Sequence, residues 1–374
     1  MIAPFLPVCR PQLPPAAALS AYLQESDAAR HYTNRGPLVQ RLEARLVSRL
    51  GLASDTVRTA SNGTSAIEVA ILAAAGPASE ARPYALIPSY TFAATALAAE
   101  RCGYKPLFCD VDPVTWAMDL AAAARHPLLD KIGLILLVAP YGRRPQIRQA
   151  EALYSATGIA VVVDAAACFE HLLDDPSLVS ATVPMTISFH ATKTFSTGEG
   201  GAVLWNNPAG QALVVQAANF GFNYSRRSET AGTNAKMSDL HAAVGLAMLD
   251  TFEQRRADYA ATVALWAELA APLPGALHLP PDLGSVYILW QTPTAQIMDQ
   301  AIGALTAANI DSRRWYEDGL HRQPHFQRFG GPDLQSIPLP VTEDLGGRLL
   351  GLPMAHDLSR DQIARVVGVL QSVL

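Results

Sequence analysis

One lysine carries the clearest chemical signal in the chain. Lys193 lies in Thr186-Ile-Ser-Phe-His-Ala-Thr-Lys-Thr-Phe-Ser-Thr-Gly-Glu-Gly-Gly-Ala-Val-Leu204. An apolar run enters, polar residues surround the lysine, glycines cluster, and an apolar run leaves. That pattern predicts strand, exposed turn, strand. An amine held between two core strands and crowded by hydroxyls can shed its proton and attack a carbonyl. The same pattern also fits an ordinary turn lysine. Gly198, Gly200 and Gly201 precede a strand, so they are not a dinucleotide fingerprint, and Lys193-Thr194 lacks the Walker glycines.

Other residues could serve such an amine. Ser61-Asn-Gly-Thr-Ser65 opens an apolar helical run, so Gly63 and Thr64 form either a phosphate cradle with free N–H groups or a plain N-cap. Asp164 ends the run Ile159–Val163, where a carboxylate calls for a cationic partner unless it caps a helix. Asp110 and Asp112 at another strand end read as a metal-binding pair or as turn aspartates. His321 and His325 are separated by Pro324, which breaks the helix that would align them on a metal. His190 is expected in the shell around Lys193, and Ser312-Arg-Arg-Trp-Tyr316 as charge and stacking for a substrate or as a basic surface turn.

These residues need a scaffold. Helical spacing predicts helices at Ala16–Ala29, through Leu38, Leu42, Leu46 and Leu50, at Ala93–Cys102, at Gln146–Thr157 and at Gln362–Leu374. Strands are expected at Tyr84–Pro88, Leu107–Asp112, Lys131–Pro140 and Ile159–Val163. Strands alternating with helices give an α/β fold with a mostly parallel sheet, whose sites lie beyond the carboxyl ends of the strands. One helix from Ser238 to about Ala270 holds the expected hinge, giving a large domain at 1–250, including a proline-rich N-terminal arm expected to lie extended over the surface, and a smaller α+β domain at 251–374. Half the 374 residues are hydrophobic and 16% are charged, which excludes a disordered chain. A net charge of −5 leaves no basic footprint for nucleic acid. Four unpaired cysteines, no secretory signal and no membrane-length apolar run point to a cytoplasmic protein.

Pyridoxal 5'-phosphate (PLP) uses all of these parts: an amine for its aldehyde, a phosphate cradle, an aromatic face and an acid for its ring nitrogen. Lys193 offers the amine, Gly63 and Thr64 the cradle, Phe92 or Tyr90 the face, and Asp164 the acid. The segments Tyr32-Thr-Asn-Arg-Gly-Pro-Leu-Val39, Ser61–Ser65, Ile87-Pro-Ser-Tyr-Thr-Phe-Ala-Ala-Thr95, Phe108–Pro113, Val163-Asp-Ala-Ala166, Ser188–Lys193 with Gly198-Glu-Gly-Gly-Ala202, and Gly232-Thr-Asn-Ala-Lys-Met-Ser-Asp239 together resemble the DegT/DnrJ/EryC1/StrS family. The likeness covers nearly the whole chain and is greatest to 4-keto-sugar aminotransferases, such as those making dTDP-4-amino-4,6-dideoxyglucose.

The resemblance implies fold type I, like aspartate aminotransferase, and a homodimer with shared active sites. It implies Lys193 as the cofactor lysine and proton shuttle, Asp164 on the pyridine nitrogen and Phe92 over the ring. Gly63, Thr64 and Ser188 hold the phosphate, and Asn234 or Lys236 reaches the partner's cofactor. It turns Asp110 and Asp112 into a structural strand end. The implied reaction is a ping-pong transfer of an amino group from an amino acid, glutamate, to a keto group of a nucleotide-linked deoxysugar. Where the family places glutamine or histidine, this chain has Ala167. The alternatives are a non-nucleotide ketone in secondary metabolism, a non-catalytic PLP-binding regulator, or a metal-dependent sugar-nucleotide transferase using Asp110 and Asp112.

Overall fold

Ile132–Val138 and Ala160–Asp164 are almost wholly apolar, as strands covered on both faces must be. In the computed structural model, which describes residues 4–329 and 338–374, they lie at the centre of a seven-stranded sheet. Its strands are β1 (Val57–Ala60), β2 (Tyr84–Pro88), β3 (Lys105–Cys109), β4 (Ile132–Val138), β5 (Ala160–Asp164), β6 (Met185–Ser188) and β7 (Gly201–Leu204), in the order β1-β7-β6-β5-β4-β2-β3. Neighbours from β6 to β3 are parallel, and β7 runs antiparallel to both β1 and β6. Leu38, Leu42 and Leu46 of the helix Pro37–Arg49, with Leu50 at its C-cap, are buried in one core with β5 and β6. The helices Gly63–Ala74, Ala93–Arg101 and Pro208–Ala218 contribute to a second core that also takes in β4 and β5 residues.

Two of the sequence segments turn out to be partners in folding. The Asp239 carboxylate accepts from the backbone N–H groups of Leu38 and Val39, at 3.2 Å each, and so caps the helix Pro37–Arg49 from 200 residues away. Capping of this kind satisfies donors that a helix N-terminus leaves open.

A second sheet is antiparallel: β8 (Ala276–His278), β9 (Ile288–Gln291) and β10 (Leu349–Leu352), in the order β10-β9-β8. Trp290, Met298, Leu305, Ile363 and Leu370 build a separate core with the helices Ala295–Ala307 and Arg360–Gln371. Three expectations change here. The N-terminal arm is not a surface run, because Leu6 and Val8 are buried, Leu6 bridges to Ile310 and Cys9 to Met354. Leu6 is part of this small core, and burial of one leucine stabilises by roughly 1.5–3 kcal/mol. The long helix breaks at Thr251 (φ −117°, ψ 9°) into Asp239–Asp250 and Phe252–Leu269. The strand expected to reach Asp112 ends at Cys109, leaving Asp110 and Asp112 in the turn beyond it.

Candidate active site

The carboxyl ends of β5 and β6 bring the chemistry together. Asp164 is the last residue of β5 and only 6% exposed. Its Oδ2 accepts from Thr95 Oγ1 at 2.7 Å and its Oδ1 from the Ala166 N–H at 3.2 Å. Thr95 lies one turn from Thr91 on the same face, with hydroxyls 3.0 Å apart. Burial pushes the Asp164 carboxyl above its ordinary range, and Thr95, the Ala166 N–H and the charge of Lys193 only partly oppose this. A buried acid so little compensated is suited to a cationic partner.

Lys193 sits in the turn between β6 and β7, half-buried. Its backbone N–H donates to His190 O at 2.9 Å, and its Nζ donates to Tyr287 Oη at 3.0 Å. Burial pulls the amine down. Tyr287, Asp164 and Cys168 pull it up and prevail, so the amine stays above its ordinary value. The sequence suggested an amine that sheds its proton because hydroxyls crowd it; these neighbours instead favour its protonated form. His190 enters the shell only through its backbone, since its ring pairs with Thr192 Oγ1 at 2.8 Å and faces Glu199.

Gly63 begins the helix Gly63–Ala74, whose N-cap Asn62 accepts from the Ser65 N–H at 2.8 Å. A Cβ on Gly63 would lie 2.9 Å from Ser188 Cβ and 3.0 Å from its Oγ. The helix N-terminus therefore closes directly onto the end of β6, with Gly63 against Ser188 and Thr64 the next residue of the helix. Such an N-terminus offers N–H groups and positive potential to an anion. Phe92, the N-cap of the helix Ala93–Arg101, is 60% exposed and leaves an aromatic face open among the described residues. Tyr90 is 2% exposed, and its hydroxyl meets that of Tyr141 at 3.1 Å. Of the two aromatic candidates, only Phe92 has a free face.

Asn234 and Lys236 stand apart. Lys236 Nζ donates to Asn234 Oδ1 at 2.6 Å and lies 4.4 Å from the centre of the Phe220 ring. Among the described residues, no hydrogen bond or ion pair joins either one to Lys193, Asp164 or Ser188 of the same chain. Burial lowers the Lys236 amine. The adjoining loop carries Phe220 and Tyr224 exposed.

The aspartate pair is structural. Asp110 accepts from the N–H groups of Val341 and Thr342, at 2.9 and 2.8 Å, and from Thr342 Oγ1 at 2.7 Å, capping the helix Pro340–Arg348. Asp112 caps its own turn through Val114 and Thr115. Among the described residues, no group of three or more His, Cys, Asp or Glu is placed to hold a metal. His321 bonds Ser89 and His325 bonds Glu100. In the 312–316 segment, Arg314 is consumed by Gly346 O and Asp318, and Tyr316 accepts from the Tyr141 N–H; Arg313 remains the more open cation. A cavity of about 600 Å³ lined by Met118, Arg143, His171 and His278 includes none of the expected site residues.

Sequence reasoning missed Thr95 and Tyr287. Thr95 had a faint signal, since Thr91 and Thr95 are one helical turn apart and start a helix. Tyr287 had none, because its partner is 94 residues away.

The profile of the DegT/DnrJ/EryC1/StrS aminotransferase family matches residues 16–371. Protein Rv3402c of Mycobacterium tuberculosis is 32% identical, over 98% of this chain and 90% of its own. The dTDP-4-amino-4,6-dideoxy-D-glucose transaminase of Shigella dysenteriae is 28% identical over 98% of both. Among solved structures, a Bacillus cereus chain described as a PLP-dependent aminotransferase superposes with a TM-score of 0.87 (26% identity, 98% of this chain and 100% of that one). DesI, solved in the presence of its TDP-sugar product, gives 0.85 (30% identity, 98% and 92%).

The residues present fit PLP. Gly63 opens a helix N-terminus against Ser188 with no room for a Cβ, as a backbone cradle for a phosphate requires, a buried carboxylate is left raised by its burial, and the amine of Lys193 acts electrostatically on that carboxylate. Profile and fold show that this chain belongs to the DegT/DnrJ/EryC1/StrS aminotransferase family and is an aminotransferase of fold type I.

Proposed function

We propose that the enzyme moves an amino group from an amino acid, glutamate, to a keto group of a nucleotide-linked deoxysugar, in a ping-pong reaction with PLP. The observation that carries this is that buried Asp164 and the Lys193 amine lie at one sheet edge, near enough to act on each other electrostatically. The Shigella transaminase and DesI, each matched over nearly this whole chain, supply the substrate class. Bound PLP supplies an electron sink that makes the carbon bearing the amine acidic. Asp164 would hold a proton on the ring nitrogen. Gly63, Thr64 and Ser188 would hold the phosphate, and Phe92 would cover the ring. Lys193 would carry the cofactor and then move a proton as general acid and base at its Nζ.

The active unit is a homodimer in this reading, with Asn234 and Lys236 serving the partner's site. Their exposed loop and their separation from the chain's own lysine support it. Residues 1–250 form the large domain and 251–374 the small one, onto which the N-terminal Leu6–Cys9 strand folds back. Four free thiols suit a cytoplasmic enzyme, and no helix among the described residues is long and apolar enough to cross a membrane. The test is a panel of nucleotide-linked keto-sugars offered with glutamate. Formation of 2-oxoglutarate that depends on both the sugar and added PLP is expected. Turnover with simple ketones and none with any nucleotide sugar would overturn the substrate assignment.

A further inference from the structure

The backbones at Gly142, Ala167 and Gly284 converge. A Cβ on Gly284 would lie 2.8 Å from Ala167 O and 3.6 Å from Ala167 Cβ, and one on Gly142 would lie 2.5 Å from Ala167 O and 2.8 Å from Gly284 N. The Gly284 N–H donates to Tyr141 O at 2.9 Å, fastening this loop to the end of β4. A turn follows, closed by the Tyr287 N–H on Gly284 O at 3.0 Å. It leads into β9 and delivers Tyr287 to the lysine. The Tyr287 ring is gripped on two sides by edge-to-face contacts, with Tyr141 at 5.4 Å and Trp315 at 5.5 Å between centroids. Its direction is therefore set by packing, and its hydroxyl ends 3.0 Å from Lys193 Nζ.

We infer that Tyr287 is a positioning residue for Lys193, holding the amine through its hydroxyl and making that hold depend on the seating of the small sheet against the large one. The inference rests on Lys193 being the cofactor lysine. Ala167 and Gly284 are the small residues that make room for it. Any side chain at 284 would meet Ala167 O at 2.8 Å and so push away the turn that carries the hydroxyl. The groups acting electrostatically on the amine are Tyr287 from the turn before β9, Asp164 from β5, Cys168 beyond it, and Cys9 from the N-terminal strand. Tyr287 opposes the effect of burial more than Asp164 or Cys168 does.

Tyr287→Phe keeps the ring between Tyr141 and Trp315 and removes the oxygen. Protein stripped of cofactor is mixed with PLP at a series of pH values, quenched with borohydride, and mapped for label on Lys193. In the variant, the pH midpoint of labelling is expected to fall, so that capture below the parent's midpoint rises about tenfold, the scale of a lost hydrogen bond to a charged group. Thermal unfolding accompanies each measurement, because a purely structural role would lower stability and leave the midpoint in place. An unchanged midpoint in a folded variant overturns the inference while the cofactor lysine stands. No label on Lys193 in the parent overturns the reading beneath it, and this inference with it.

Discussion

Asp164→Asn should stabilise the cofactor-free protein and weaken the cofactor-bound one, and the opposite signs are the test. The parent carboxylate accepts two hydrogen bonds in a site where it is 6% exposed. Asparagine can repeat them. Its oxygen accepts from the Ala166 N–H, and its amide donates to Thr95 Oγ1, whose own proton turns to Thr91 Oγ1 at 3.0 Å. The substitution thus removes a buried charge at little loss of bonding. The folded carboxyl lies above its ordinary value of 3.8 because of burial. Such a group contributes fully below the unfolded pKa and loses its contribution as pH rises through the folded one. The variant's advantage should therefore be absent near pH 3 and complete at neutral pH. An under-compensated buried polar group costs roughly 1–3 kcal/mol, which corresponds to about 2–8 °C in melting temperature for a large domain. With saturating PLP the parent gains the linkage energy of binding. The variant forgoes a charge-assisted bond of about 1.5–3 kcal/mol, so the order reverses and the glutamate half-reaction slows sharply. Thermal melts from pH 3 to 8, with and without PLP, decide it. A cofactor-free variant no more stable than the parent at neutral pH, or a gain independent of pH, would refute the argument.

Lys193→Ala should fold and still bind PLP noncovalently, and borohydride with peptide mapping should mark Lys193 in the parent and nothing in the variant; label on Lys131 or Lys236 would contradict the assignment. Gly63→Ala places a Cβ 2.9 Å from Ser188 Cβ. Overpacking of about 1–3 kcal/mol should weaken PLP binding roughly 10-fold to 100-fold in an equilibrium titration, and unchanged affinity would remove Gly63 from the cradle. Mixing inactive Lys193→Ala with an inactive Asn234→Ala or Lys236→Ala protein should restore about a quarter of parental activity, because about half the dimers are mixed and each has one intact site. No recovery after proven subunit exchange would argue against shared sites.

The parallel sheet was legible because its strands are short apolar runs ended by turn residues, and a strand covered on both faces can hardly be written otherwise. Asp164 was legible for a related reason, because a polar residue closing an apolar run marks the carboxyl edge, whereas Ser188 was named only through the family resemblance. The small sheet was not legible. Its strands β8, β9 and β10 are three or four residues long, and β8 pairs with β9 across a proline-rich stretch that hides any alternation. The N-terminal segment was misread because prolines at 4, 7 and 11 suggest a surface run, while Leu6 and Val8 between them are buried, Leu6 in the small core. The protonation of Lys193 was misjudged because it depends on Tyr287, a contact that no local pattern encodes.

The misleading Asp110 and Asp112 pair exposes how labour is divided along the sheet edge. Taken across the sheet from β3, the residues just past each strand end are Asp110, then Ser89 after β2, then Tyr141 after β4, then Asp164 on β5 and Ser188 on β6. The first three reach the C-terminal half of the chain. Asp110 caps the helix Pro340–Arg348, Ser89 Oγ meets His321 Nδ1 at 2.7 Å, and Tyr141 packs against Tyr287 and stacks on Tyr316 at 4.4 Å. The last two face Lys193 and Gly63. One half of the edge holds the small sheet and the other half holds the chemistry, with Tyr141 and Tyr287 at the boundary. Strand-end polar residues are therefore needed at every position, and their type alone does not separate clamp from catalyst. What separates them is satisfaction. Asp110 has three donors from the helix it caps, whereas Asp164 has two and remains raised by burial. A buried acid left short of partners is the one built for a ligand.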